Sequence, residues 1–245
     1  MLSDSIKVIG FDLGYTLVYN QVREDRYIAF LNDKGIARTK LEVEQAFHLA
    51  DKKFMSDFPG VLGKEDRYFF IWYLGLVNYY LNLSFDLIEQ NQLLQQQPLN
   101  KPLWAPFPWT KEVLRSLKDA GYQLILLSNW DHSARGLLDT LGLTTYFDHL
   151  IISSEHRIEK PDERIFRKLL TLVTCEPNEV LYIGDNYYDD VVGSRKAGIQ
   201  SVLLNRFGRL GIEEINDCNV IQNTKELLTE LLNSRSQLSH AITGI

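Results

Sequence analysis

The sequence predicts an α/β fold, an open parallel sheet that carries an all-helical insertion, and three observations predict it. Five short apolar runs alternate with amphipathic helical segments, but only at the two ends of the chain. The stretch from about 20 to 104 reads as helix throughout and separates the first run from the second. Four of the seven prolines, Pro98, Pro102, Pro106 and Pro108, then mark a linker that returns the chain to the sheet.

The strands come first. Ile6–Phe11 is rich in β-branched residues and stops at Asp12; Gln123–Leu127, His149–Ile152, Val180–Ile183 and Ser201–Leu204 follow. Most are apolar on both faces, as strands buried inside a parallel sheet must be. The connecting helices are expected over Thr110–Ala120, Ala134–Leu141, Arg164–Val173 and Asp190–Ala197. In the first of these Val113, Leu114, Leu117 and Ala120 fall on one face, and Gly121 supplies the stop. The insertion divides into helices Arg23–Lys34, Leu41–Met55, Glu65–Asn82 and Phe85–Gln97. The polar end, 235–245, reads as a mobile tail.

Composition narrows the function. The 245 residues carry 26 basic and 32 acidic side chains, a net charge of −6, which argues against a nucleic-acid partner. Cys175 and Cys218 are too few and too far apart for a zinc site or a disulfide framework. The most apolar stretch, Tyr68–Leu81, has 14 residues, and spanning a bilayer takes about 20. Residues 1–7 lack the apolar region of a signal peptide, so the expectation is a soluble cytoplasmic protein with no membrane partner.

In an open parallel sheet, ligands bind beyond the carboxyl ends of the strands. The segments there are Asp12-Leu13-Gly14-Tyr15-Thr16-Leu17, Ser128-Asn129, Glu159-Lys160-Pro161-Asp162 and Gly184-Asp185-Asn186-Tyr187-Tyr188-Asp189-Asp190. This set suits phosphoryl transfer. Aspartates from the first and fourth strands can share a Mg²⁺, a hard cation that takes oxygen ligands. A carboxylate is a competent nucleophile, and a hydroxyl, an amide and a lysine can hold phosphate oxygens.

In this order and in these positions, the four loops resemble the motifs of the haloacid dehalogenase-like superfamily, mostly Mg²⁺-dependent phosphatases. The likeness runs over about 1–19 and 105–210 and extends to Ile165-Phe166, Gly193 and Gly198. It implies a Rossmann-like catalytic core over 1–19 and 105–234, with 20–104 as a helical cap of the C1 type. It makes Asp12 the nucleophile and a metal ligand. The backbone oxygen of Gly14, Asp185, and Asp190 (or Asp189) complete the metal set. Ser128 and Asn129 are assigned to the phosphate, Lys160 to both Asp12 and the phosphoryl group, and Thr16 to supporting the first loop. The substrate is expected to be a small phosphorylated metabolite.

One residue departs from the pattern. The phosphatases of this superfamily usually place a general acid–base aspartate two residues past the nucleophile, and here that residue is Gly14. Such help is typically worth about 10²–10⁴-fold. Two alternatives follow: a dehalogenase, against which the acidic residues of the fourth loop argue, and a low-turnover binding protein, which only Gly14 favours. The aromatic run Phe69, Phe70, Trp72, Tyr73, Tyr79 and Tyr80 fits the core of the insertion, a homo-oligomer contact or a substrate wall. Arg23, Arg26 and Arg67 are candidates for choosing the substrate, Tyr15, Tyr187 and Tyr188 for shaping the entrance, and His132 for a solvent-facing helix start.

Overall fold

A computed structural model describes residues 5–63, 69–99 and 101–231. In chain order β1 (Val8–Phe11) and β2 (Val18–Asn20) lead into helices α1 (Arg23–Asp33), α2 (Lys40–Asp57), α3 (Phe70–Tyr80) and α4 (Leu87–Gln96). After β3 (Trp104–Pro106) come α5 (Thr110–Asp119), β4 (Gln123–Ser128), α6 (Ala134–Leu141), β5 (His149–Ile152) and the short α7 (Ser153–His156). The chain continues through α8 (Glu163–Val173), β6 (Val180–Gly184), a π-helical turn Tyr187–Val192, α9 (Gly193–Lys196), β7 (Gln200–Leu204) and β8 (Asn219–Ile221).

The larger compact unit comprises 5–19, 106–208 and 215–231. Its six-stranded sheet has the order β5-β4-β1-β6-β7-β8, and every pairing is parallel. β1 lies between β4 and β6, so the strand order reverses beside it and opens a crevice at its carboxyl end. One face is sealed by Ile165, Phe166 and Leu169 of α8 against Val8, Ile125, Leu127 and Tyr182. The amphipathic spacing of α8 is what lets those three side chains reach the sheet together.

The second unit comprises 20–105 and 209–214. Tyr27, Phe30, Phe47, Phe54, Phe69, Tyr73, Leu74 and Val77 form its core. Most of the aromatic run therefore packs inside the helical unit, while Trp72 and Tyr79 stay exposed at 75% and 71%. Arg23 has a structural place here: its five N–H groups reach Asp51, Glu24 and Tyr73, and its guanidinium lies 4.6 Å from the centre of the Phe47 ring. Arg26 donates to the carbonyl of Leu94. These contacts turn both arginines to holding helices together, and Arg67 lies outside the described residues, as do the expected start of the third helix and the tail 235–245.

Three features differ from the expectation. Segment 209–214, which the sequence alone gives to the sheet, groups with the helices; the Leu210 carbonyl lies 3.0 Å from His48 Nε2. Strands β2 and β3 pair as a separate two-stranded sheet, and at three residues each they are too short to show a periodicity. The helix expected over 190–197 begins instead as the π-turn at Tyr187.

Candidate active site

Four segments meet at the carboxyl end of β1. Asp12 continues that strand, its N–H bonded to the carbonyl of Ile183 at 2.9 Å. Ser128 ends β4, Lys160 precedes α8, and Asp185 follows β6. All of them lie beside the reversal of strand order, which is why residues so distant in sequence converge.

Lys160 is the hub. Its Nζ donates to Asp12 Oδ1 at 2.7 Å, to Asp190 Oδ1 at 2.6 Å and to the Tyr182 hydroxyl at 3.2 Å. The lysine side chain is 3% exposed and that of Asp190 1%. Burial by itself would push the ammonium down, but Asp12 and Asp190 outweigh it and hold its pKa well above the ordinary lysine value. Ser128 Oγ donates to the same Asp12 Oδ1 at 3.0 Å. Both hydrogen bonds to Asp12 thus fall on one oxygen among the described residues, which leaves Oδ2 for chemistry.

The fourth loop is built around its own amide. Asn186 accepts from the N–H groups of Tyr188 and Asp189 and donates from Nδ2 to Asp189 Oδ2 at 2.9 Å. Its backbone N–H donates to Asp190 Oδ2 at 2.9 Å. The wide π-turn folds the Asp190 carboxylate back onto Gly184, where an added Cβ would stand 2.1 Å from Oδ2. Burial, and then the charge of Asp190, push the Asp189 carboxyl up to about 7. Burial also raises Asp190, with Lys160 opposing.

The donor set fits a divalent cation. Asp12, Asp185 and Asp190 each offer a carboxylate oxygen, and these lie within 4.8 Å of one another. Lys160 sets one positive charge against these three carboxylates, and Asp189 Oδ1 is buried without a hydrogen-bond partner among the described residues. The bridge between Gly14 and Val18 runs through the Leu13 carbonyl and the Tyr15 N–H, so the Gly14 carbonyl stands outside that ladder. Between the two candidates in the fourth loop, the geometry joins Asp190 to Asp12 and Asp185.

Asn129 and Thr16 have surroundings that the sequence did not indicate. The Asn129 side chain donates to the Lys160 carbonyl at 3.0 Å and accepts from the Lys160 N–H at 2.8 Å, so its amide fastens the lysine loop. Thr16 is fully buried and its Oγ1 has no partner among the described residues. The first loop is held by backbone bonds from the N–H groups of Leu17 and Val18 to the Leu13 carbonyl instead. Tyr15 takes a left-handed backbone conformation, φ +53°, which is a strained one for tyrosine. Tyr187 directs its hydroxyl to Asp217, and His132 is exposed.

Tyr182 is the residue that sequence reasoning missed. It donates to the Leu127 carbonyl at 2.7 Å while accepting from Lys160. Its ring crosses Gly10 of β1, where a Cβ would come within 2.7 Å of Cδ2. A glycine inside a central strand often marks such a close approach, and Gly10 was the available signal.

Comparison with known proteins gives consistent neighbours. The family profile described as haloacid dehalogenase-like hydrolase matches residues 82–204. The human haloacid dehalogenase-like hydrolase domain-containing protein 3 is 30% identical over 211 residues, 81% of this chain and 82% of that one. A glyceraldehyde 3-phosphate phosphatase of Methanothermobacter thermautotrophicus is 30% identical over 221 residues, 82% of this chain and 86% of its own. The crystal structure of a HAD phosphatase from Thermococcus onnurineus aligns with a TM-score of 0.57 at 25% identity, covering 92% of this chain and 98% of that one. No helix among the described residues is long and apolar enough to cross a membrane.

Proposed function

Because this chain belongs to the haloacid dehalogenase-like hydrolases, we propose that it is a phosphatase cleaving a small phosphorylated metabolite through an aspartyl-phosphate on Asp12. The observation that carries this reading is the bridge from Lys160 to both Asp12 and Asp190, with Asp185 beside them. The relatives named glyceraldehyde 3-phosphate phosphatase support a small phosphorylated substrate.

Lys160 and Ser128, by binding Oδ1, orient the Asp12 carboxylate so that Oδ2 attacks phosphorus. The new Oδ2–P bond forms as the bond to the leaving oxygen breaks, and that oxygen departs with the electron pair. Ser128 and Lys160 then turn their donors to the phosphoryl oxygens, where positive charge and hydrogen bonds stabilise the transition state. Water next attacks phosphorus, the Oδ2–P bond breaks, and Asp12 returns as carboxylate with inorganic phosphate released. Asp12, Asp185, Asp190 and the Gly14 carbonyl would hold Mg²⁺, which when bound neutralises charge on the transferring group. The three-carboxylate cluster favours this chemistry over dehalogenation, which uses an aspartate without metal. The helical unit reads as a cap, on the support of its place in the chain between the first and second site loops.

Hydrolysis of p-nitrophenyl phosphate tests the proposal. Turnover should require Mg²⁺, stop in EDTA and vanish in Asp12→Asn. Turnover that survives in folded Asp12→Asn refutes the covalent route.

A further inference from the structure

The loop after Asp12 has no side chain at Gly14, and the reason lies in a neighbour. A Cβ added to Gly14 would stand 3.3 Å from Cζ3 of Trp130, a tight contact that the indole could relieve only by shifting a few tenths of an ångström. Trp130 is held from several sides. Its Nε1 donates to Ser133 Oγ at 3.1 Å and its N–H to Ser153 Oγ at 3.2 Å. Its carbonyl accepts from Ser153 Oγ and the Ser154 N–H, both at 3.3 Å. The ring is half-buried, and the next residue back is Asn129, which fastens the Lys160 peptide. The benzo edge of an indole held in this way therefore crowds the position that a side chain two residues past the nucleophile would take.

Resting on the phosphatase reading, we propose that Trp130 is the specificity-determining wall of the leaving-group site. It keeps an acidic side chain out at position 14 and offers a flat apolar surface in its place. The substrates that fit are phosphates of aromatic or similarly stabilised leaving groups. In these the P–O bond breaks with its electron pair going to an oxygen that departs as a stabilised anion and takes its proton from water afterwards. The remainder of such a leaving group packs on the indole, and aromatic contacts of this kind are worth a few-fold to about tenfold in affinity.

Wild type, Gly14→Asp, Trp130→Ala, Trp130→Phe and Gly14→Asp/Trp130→Ala are compared, with folding checked by thermal melting. The substrates are p-nitrophenyl, phenyl and propyl phosphate with Mg²⁺ present. Wild type should lose kcat/KM steeply as the leaving group becomes more basic, and Gly14→Asp alone should not change that slope. The double variant should flatten the slope and gain about 10²-fold on propyl phosphate, the lower end of general acid help. A parallel arm needs no turnover: calorimetric binding of phenyl against methyl phosphate to Asp12→Asn. Phenyl phosphate should bind several-fold tighter, and adding Trp130→Ala should erase the difference, with Trp130→Phe between. The wall is refuted if Gly14→Asp alone flattens the slope as far as the double variant does. It is equally refuted if Trp130→Ala leaves the phenyl preference intact. Wild type that turns over none of the esters, yet keeps that preference in binding, overturns the phosphatase reading and leaves the wall standing.

Discussion

Replacing Lys160 by methionine removes one charge from a site whose geometry predicts a large effect. The change keeps the aliphatic stem and deletes the ammonium that stands 2.7 Å from Asp12 Oδ1 and 2.6 Å from Asp190 Oδ1. Those oxygens can then be no further apart than about 5 Å, and two carboxylates at that separation repel by about 3 kcal/mol at an effective dielectric near 20. Removing one partner of a buried ion pair typically costs about 3–5 kcal/mol, and the two estimates agree. Without the lysine, at least one carboxyl has a folded pKa raised above its unfolded value near 4. An acid raised in this way binds its proton more tightly in the native state, so stability is lost as pH climbs from the unfolded pKa and regained as it falls. Urea unfolding in EDTA, followed by circular dichroism, should therefore show Lys160→Met less stable by about 3–5 kcal/mol at pH 8, with the deficit shrinking toward pH 5. Adding Asp190→Asn should recover much of the loss, because it removes one of the two facing charges. A deficit below about 1 kcal/mol at pH 8, the range of an exposed pair, or one that is unchanged at pH 5, refutes the reasoning.

Two further outcomes follow from buried hydroxyls. Tyr182→Phe deprives Lys160 of one acceptor and the Leu127 carbonyl of its donor, so it should destabilise by about 2–4 kcal/mol and lower kcat more than KM. Denaturation and steady-state kinetics check it, and an unchanged kcat counts against a positioning role. In the helical unit, Tyr27 is fully buried, donates to Asn78 Oδ1, and has its hydroxyl pushed up to about 12 by burial. Its raised pKa favours the protonated native state, so stability is unaffected below pH 10 and falls between pH 10 and 12, by up to about 3 kcal/mol. Tyr27→Phe should remove that alkaline loss, and an unfolding series from pH 9 to 12 measures it.

Much of this protein is set locally. The strands β1, β4, β5, β6 and β7 announce themselves because each is a short apolar run that must be buried on both faces. The chemical loops are legible for a related reason: aspartate, serine and lysine at strand ends are polar residues placed where an apolar run has just stopped. What one chain position cannot express is which distant side chain it faces. Only the tertiary structure brings the Asn129 amide onto the Lys160 peptide, and Arg23 looks available until Asp51, Glu24 and Tyr73 take its donors. Tyr182 reads as one more strand residue, and only the parallel register that sets it against Gly10 carries its hydroxyl to Lys160. Gly14 is the sharpest case. By itself the sequence determines that no acid stands there, whereas only the fold sets the Trp130 indole against that position, because close packing is a property of neighbours brought together in space.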